Sequence, residues 1–86
     1  MPNIDIQHRV KQVLAKILSL PATDIGSDAA RDVTGNWDSL KHMYVVLALE
    51  EEFSIEFDSR EIADMRTLSD LVGTVTTKLA SGQDNA

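Results

Sequence analysis

The chain has 86 residues, enough for one domain with a modest hydrophobic core. Acidic residues outnumber basic ones by 14 to 8, for a formal net charge of −6, which argues against a nucleic-acid or anionic-membrane surface and suits a partner with a basic face. There is no cysteine, so a disulfide framework, a Cys-based metal site and a protein thiol nucleophile are excluded, and no apolar run approaches the ~20 residues of a membrane span.

No basic region followed by an apolar core stands at the N-terminus, so no signal peptide is expected and the cytoplasm is the default compartment. Residues 4–18 read as the first helix, because Ile6, Val10, Val13, Leu14 and Ile17 fall at i, i+3, i+4, i+7 spacing. Asn3 and Asp5 are its capping candidates, His8 faces solvent, and Pro21 ends the pattern after Leu20. Residues 19–37 form a long connection rich in Thr, Gly, Asn and Asp, with Leu20, Ile25, Val33 and Trp37 expected to pin it to the core and a short helical turn expected near 28–32. Its Asp residues lack the spacing and terminal Glu of a calcium loop.

The second helix is expected over 39–52, and at 100° per residue it carries three lines. His42, Val45, Val46 and Leu49, with Phe53 beyond, form the core stripe, and Lys41, Tyr44, Ala48, Glu51 and Glu52 lie roughly opposite. Between them runs Ser39, Met43, Leu47 and Glu50, which either packs on neighbouring helices or forms an exposed docking strip beside the serine. Residues 53–57 alternate like a strand, but one five-residue segment makes no sheet, so they read as an extended connector with Phe53, Ile55 and Phe57 turned inward.

Asp58 with Glu61 resembles a capping box opening a short third helix over 59–65, with Ile62 and Met65 as its apolar contacts. Thr67 with Asp70 repeats the signal before a fourth helix over 68–80, with Leu68, Leu71, Val72, Val75 and Leu79 on one stripe. Gly73 and the Thr-rich stretch after it make that helix dependent on packing. Residues 81–86 read as a flexible tail, leaving 1–80 as the single domain. The expected class is an all-α four-helix bundle: three longer helices, one short one, and a long loop between the first and second.

The long loop delivers Asp38 and Ser39 to the start of the second helix. Asp38 is a good N-cap, because its carboxylate can accept from the free N–H groups of the first turn. Ser39 then stands at the first helical position, near the positive end of the helix dipole, where a phosphate ester on its hydroxyl is favoured. A bare helix-start serine has the same local pattern. A Ser-His-Asp site from Ser39, His42 and Asp38 needs an oriented base and an oxyanion hole that nothing in the pattern supplies.

Asp38-Ser39-Leu40, the run from Leu47 to Phe53, the connector Ile55-Glu56-Phe57-Asp58 and the run Thr67-Leu68-Ser69-Asp70-Leu71 together resemble an acyl carrier protein, over about residues 4–80. The resemblance implies a bundle whose serine at the start of helix two, here Ser39, carries 4′-phosphopantetheine added from coenzyme A by a phosphopantetheinyl transferase. The arm's thiol then holds an acyl, polyketide or aminoacyl group as a thioester. The chain itself catalyses nothing and holds no metal. It presents its cargo, as an expected monomer, to loading ligases, synthases and transferases. Asp38 and Leu40 flank the attachment serine; Lys41, Met43, Leu47, Glu50 and Glu51 become docking residues; His42, Val46, Leu49, Ile62 and Leu71 surround an acyl pocket. Trp37, Lys41, His42 and Tyr44 depart from the fatty-acid carriers, so the resemblance leans toward a carrier of a specialised pathway. The reading from another class is an unmodified acidic helical module that binds a basic partner.

Overall fold

Among the described residues, four helices and one short turn account for the regular structure. The computed structural model describes residues 2–26, 28–31, 34 and 37–80. Val33 as a core pin, the side chains of Asn3 and Asp5 as caps, and the tail at 81–86 lie outside the described residues. The helices are α1 (Pro2–Leu18), α2 (Ser39–Phe53), α3 (Ser59–Asp64) and α4 (Leu68–Ala80), and α1 packs against both α2 and α4. This is the all-α bundle expected, with its long first connection.

Local chemistry sets the ends of these helices. α1 begins two residues earlier than the apolar pattern suggested, with Pro2 at its first position, where the missing N–H costs nothing. It stops at Leu18 because Ser19 turns left-handed, φ 59°, and Leu20 N–H donates back to Ala15 O at 3.0 Å. α2 stops in the same way at Ser54, φ 56°, with Ile55 N–H donating to Glu50 O at 3.1 Å. α3 opens on the expected capping box, Asp58 and Glu61 each accepting from the other's backbone N–H. It ends at Asp64, one residue short of expectation, because Met65 goes extended and is buried. α4 opens on the second box, Asp70 N–H donating to Thr67 Oγ1 at 3.0 Å while Asp70 Oδ2 accepts from Thr67 N–H at 3.3 Å.

The core is built from α1, α2 and α4, with Ile62 of α3 packed against its edge. Val10 and Leu14 of α1, Val45 and Leu49 of α2, and Leu71 and Val75 of α4 have no accessible surface. Ile25 and Trp37 pin the long connection, and Phe53, Ile55 and Phe57 turn inward from the connector. Leu79, expected on the apolar stripe, is instead 39% exposed, one residue from the end of α4.

The first connection differs from expectation in one further place. It carries a 3₁₀ turn at Ala22–Asp24, opened by Pro21, that was not expected, while the turn expected near 28–32 falls partly outside the described residues. Residues 29–31 are held to the α3–α4 junction instead. Ala30 bridges Thr67, Arg31 N–H donates to Arg66 O at 2.7 Å, and Leu68 N–H donates to Ala29 O at 2.9 Å. The loop is thus tied at both ends of its course before it reaches α2.

Candidate functional site

The chain turns into α2 through Thr34, whose carbonyl accepts from Trp37 N–H at 3.0 Å. Asp38 is extended, φ −105° and ψ −170°, and caps the helix as expected. Its carboxylate accepts from Lys41 N–H at 2.9 Å and its carbonyl from His42 N–H at 2.8 Å. Ser39 is the first helical residue and is exposed. No hydrogen bond occupies its hydroxyl among the described residues.

Trp37 and His42 flank this start and are almost wholly buried, at 1% and 2% exposure. The indole N–H donates to His42 Nδ1 at 3.1 Å, with ring centroids 6.0 Å apart and planes 27° apart. Nδ1 is therefore an acceptor, which places the proton of a neutral imidazole on Nε2, and Nε2–H donates to Ile62 O at 3.0 Å. This arrangement removes the Ser-His-Asp reading. Both nitrogens of the would-be base are engaged elsewhere, and the Asp38 carboxylate caps the helix.

Of the two readings of the line through Met43 and Leu47, the fold gives the exposed one. Leu40, Met43 and Leu47 are 60%, 43% and 59% exposed, at i, i+3, i+7 on the side of Ser39. Tyr44 stands open beside them. The acids of α2 have divided uses. Glu50 Oε2 accepts from Phe57 N–H at 2.9 Å and holds the connector. Glu52 pairs with Arg9 at 3.0 Å, and that guanidinium also sits 4.4 Å above the Phe53 ring. Glu51 is exposed, and Lys41 is half-buried.

The residues expected around an acyl pocket are brought together, but as packed core. His42, Val46, Leu49 and Leu71 are each 2% exposed or less, with Ile62 partly buried against them. The open grooves on the surface lie elsewhere. One of them, about 480 Å³, runs between α1 and α2 past Val13, Ile17 and Ala48.

Residues 8–75 match the protein family described as phosphopantetheine attachment site. The chain is 31% identical over 83 residues to "Acyl carrier protein 3" of Ralstonia nicotianae, spanning 94% of this chain and 93% of that protein. It is 30% identical over 81 residues to "Acyl carrier protein" of Thermosynechococcus vestitus, spanning 94% of this chain and all of that protein. To "Acyl carrier protein" of Helicobacter hepaticus it is 33% identical over 72 residues, 84% of this chain and 95% of that one. The chain belongs to the acyl carrier protein family.

The carrier works by presenting a bound group, not by catalysis, and its prosthetic group is 4′-phosphopantetheine. When bound, that group supplies a thiol to hold an acyl cargo as a thioester, which a chain without cysteine cannot do itself. The start of α2 fits such a group: an exposed hydroxyl stands at the positive end of a 15-residue helix, where a phosphodiester is stabilised. Transferases and synthases are the classes of enzyme that act with such a carrier. No described helix is long and apolar enough to cross a membrane, and among the described residues no cluster of His, Asp and Glu is placed to hold a metal.

Two features of the site escaped sequence reasoning. Trp37 and His42 occupy the positions just before the N-cap and at the fourth helical residue, where an apolar pair often staples a helix start. That spacing was the available signal. The turn of Glu50 onto the Phe57 amide had none, because it depends on the left-handed Ser54.

Proposed function

We propose that Ser39 is the residue that bears the phosphopantetheine arm, and that the carrier delivers its cargo to enzymes of a specialised pathway. The observation that carries this reading is the position of Ser39: exposed, first in α2, directly after a capping aspartate, within the matched residues 8–75. Asp38 and Leu40 frame the serine for the transferase. Leu40, Met43 and Leu47 are the apolar docking strip for partner enzymes, with Lys41 and Glu51 as its charged neighbours and Glu50 shaping its far end through the connector. The buried side chains of His42, Val46, Leu49 and Leu71, with the partly buried Ile62, are the seam that a sheltered acyl chain has to part. Residues 1–80 act as one carrier domain, as a monomer in the cytoplasm, where coenzyme A and the loading ligases, synthases and transferases are at hand. The specialised pathway is supported by Trp37, Lys41, His42 and Tyr44, which give the start of α2 a bulky and less acidic character.

The test is an intact-mass spectrum after incubation with coenzyme A and a broad-specificity phosphopantetheinyl transferase. Gain of one phosphopantetheine is expected for the native chain and no gain for Ser39→Ala, whose helical circular dichroism stays native because Asp38 remains as cap. A folded native chain that gains nothing from several transferases overturns the assignment and favours the unmodified interaction module. A Ser39→Ala chain that still gains the group moves the site to another residue.

A further inference from the structure

We propose that the hydrogen-bonded chain Trp37–His42–Ile62 is a closed latch across the seam between α2 and α3, and that His42 thereby sets the cargo. The carrier takes groups that stay outside the bundle, short or polar, in preference to long alkyl chains lodged between its helices. The proposal rests on Ser39 as the attachment point and goes beyond it.

The geometry points this way in three steps. Cargo that leaves Ser39 toward the core meets the next turn of α2 on its inner side, about 4.5 Å along the axis, and that residue is His42. The imidazole spans the seam there, since Nε2–H reaches Ile62 O of α3 at 3.0 Å. That carbonyl lies in the last turn of a six-residue helix, where the helix itself offers no donor, so the histidine satisfies an otherwise orphaned group. Behind the ring, Trp37 closes the other side with its N–H on Nδ1 at 3.1 Å.

An alkyl chain entering the seam must separate at least one of these pairs. It then leaves a buried N–H, ring nitrogen or carbonyl facing hydrocarbon, which makes no hydrogen bond in return. Among the described residues the closed arrangement leaves no buried side-chain nitrogen or oxygen without a partner. Below the latch, Val46, Leu49 and Leu71 are packed against neighbours and offer no ready space. The side chain that bars the seam is thus polar and doubly anchored, not an aliphatic group that slides aside.

The experiment loads the full chain enzymatically with acetyl-, hexanoyl- and dodecanoyl-phosphopantetheine and verifies each product by intact mass. Melting temperature and the nitrogen shifts of His42 are then recorded for each. The expected result for the native chain is a set of melting temperatures within about 2 °C of one another. The His42 shifts stay unchanged, and no nuclear Overhauser contact links the dodecanoyl terminus to the Leu49 or Leu71 methyls. In His42→Ser, and to a lesser degree in Trp37→Phe, the melting temperature is expected to climb with chain length, by about 5 °C or more from acetyl to dodecanoyl. A native melting temperature that climbs with chain length, or Overhauser contacts to Leu49 or Leu71, overturns the latch. Two folded variants without chain-length dependence overturn the role of His42. Should either variant fail to fold, the native series alone decides. Absence of any mass gain instead refutes the assignment of Ser39, which separates that failure from failure of the latch.

Discussion

Replacing Trp37 by Phe removes one N–H and part of an aromatic ring from the interior. Trp37 is 1% exposed, and its indole nitrogen is 3.1 Å from His42 Nδ1. Phenylalanine leaves that acceptor buried without its donor, a loss of about 1–3 kcal/mol. The smaller ring also leaves a void, and the total comes to about 2–4 kcal/mol once the cavity is added. For a domain of 86 residues the whole stability is on the order of 4–13 kcal/mol, so the loss is a large share of it. At about 4–8 °C per kcal/mol the melting temperature should fall by roughly 8–32 °C, measured by far-ultraviolet circular dichroism. The contact itself is isolated by a double-mutant cycle with His42→Leu. If Trp37 and His42 act through their shared hydrogen bond, the double variant loses less than the sum of the singles, by about 1 kcal/mol or more. Losses that add to within about 0.3 kcal/mol would refute the reasoning and reduce the pair to two independently packed rings.

Three further outcomes are expected from equilibrium unfolding. Gly73→Ala should raise stability by about 0.5–1 kcal/mol, since Gly73 is an exposed interior position of α4 and an added Cβ meets nothing within 4 Å. A loss there would mean that α4 needs the glycine for a reason outside its helical propensity. Asp38→Ala should cost about 1 kcal/mol, while Asp38→Asn retains most of the cap, because what Lys41 N–H requires is a side-chain oxygen. Glu50→Ala should cost about 1–2 kcal/mol and speed hydrogen exchange at the Phe57 amide, which loses its 2.9 Å acceptor; unchanged exchange would show that the connector holds without Glu50.

What the sequence could reveal was what lies within about one helical turn. The starts of α2, α3 and α4 were legible because Asp38, Asp58–Glu61 and Thr67–Asp70 are caps acting over three or four residues. The earlier start of α1 was missed because the reading followed the apolar periodicity, which begins at Ile6, and took no account of Pro2, a residue suited to a first helical position. The bridge from Ala30 to Thr67 and the bond from His42 to Ile62 were not legible, since each joins residues far apart in the chain and depends on how the helices cross. The 3₁₀ turn at Ala22–Asp24 follows from Pro21, which fixes φ at −62° and was read only as a terminator. In the site, the neighbours of Ser39 match a bare helix-start serine equally well, and it was the resemblance along the whole chain that singled the residue out, whereas the closed packing around His42, Val46, Leu49 and Leu71 is a property that spacing cannot show.

Folding redistributes the roles of the charges along α2. Its sequence holds Glu50, Glu51 and Glu52 in a row, and a reading by composition makes the end of the helix a negative patch. In the folded chain Glu50 accepts from the Phe57 amide and keeps its charge, Glu52 pairs with Arg9, and Glu51 faces outward without an ion pair among the described residues. At the other end of the helix Asp38 and Lys41 carry opposite formal charges three residues apart, and the cap itself is made by the Lys41 backbone N–H. The continuous feature beside Ser39 is therefore apolar: Leu40, Met43 and Leu47, one above the other. Charge steers encounters but is screened within about 10 Å at 0.1 M salt, whereas an apolar strip acts on contact. Selection of this carrier by its enzymes should then depend more on the fit of these three side chains than on the overall charge of −6. Shortening Leu47 to Ala should weaken partner binding more than neutralising Glu51, while leaving the fold intact, because a side chain that is 59% exposed contributes little to the core.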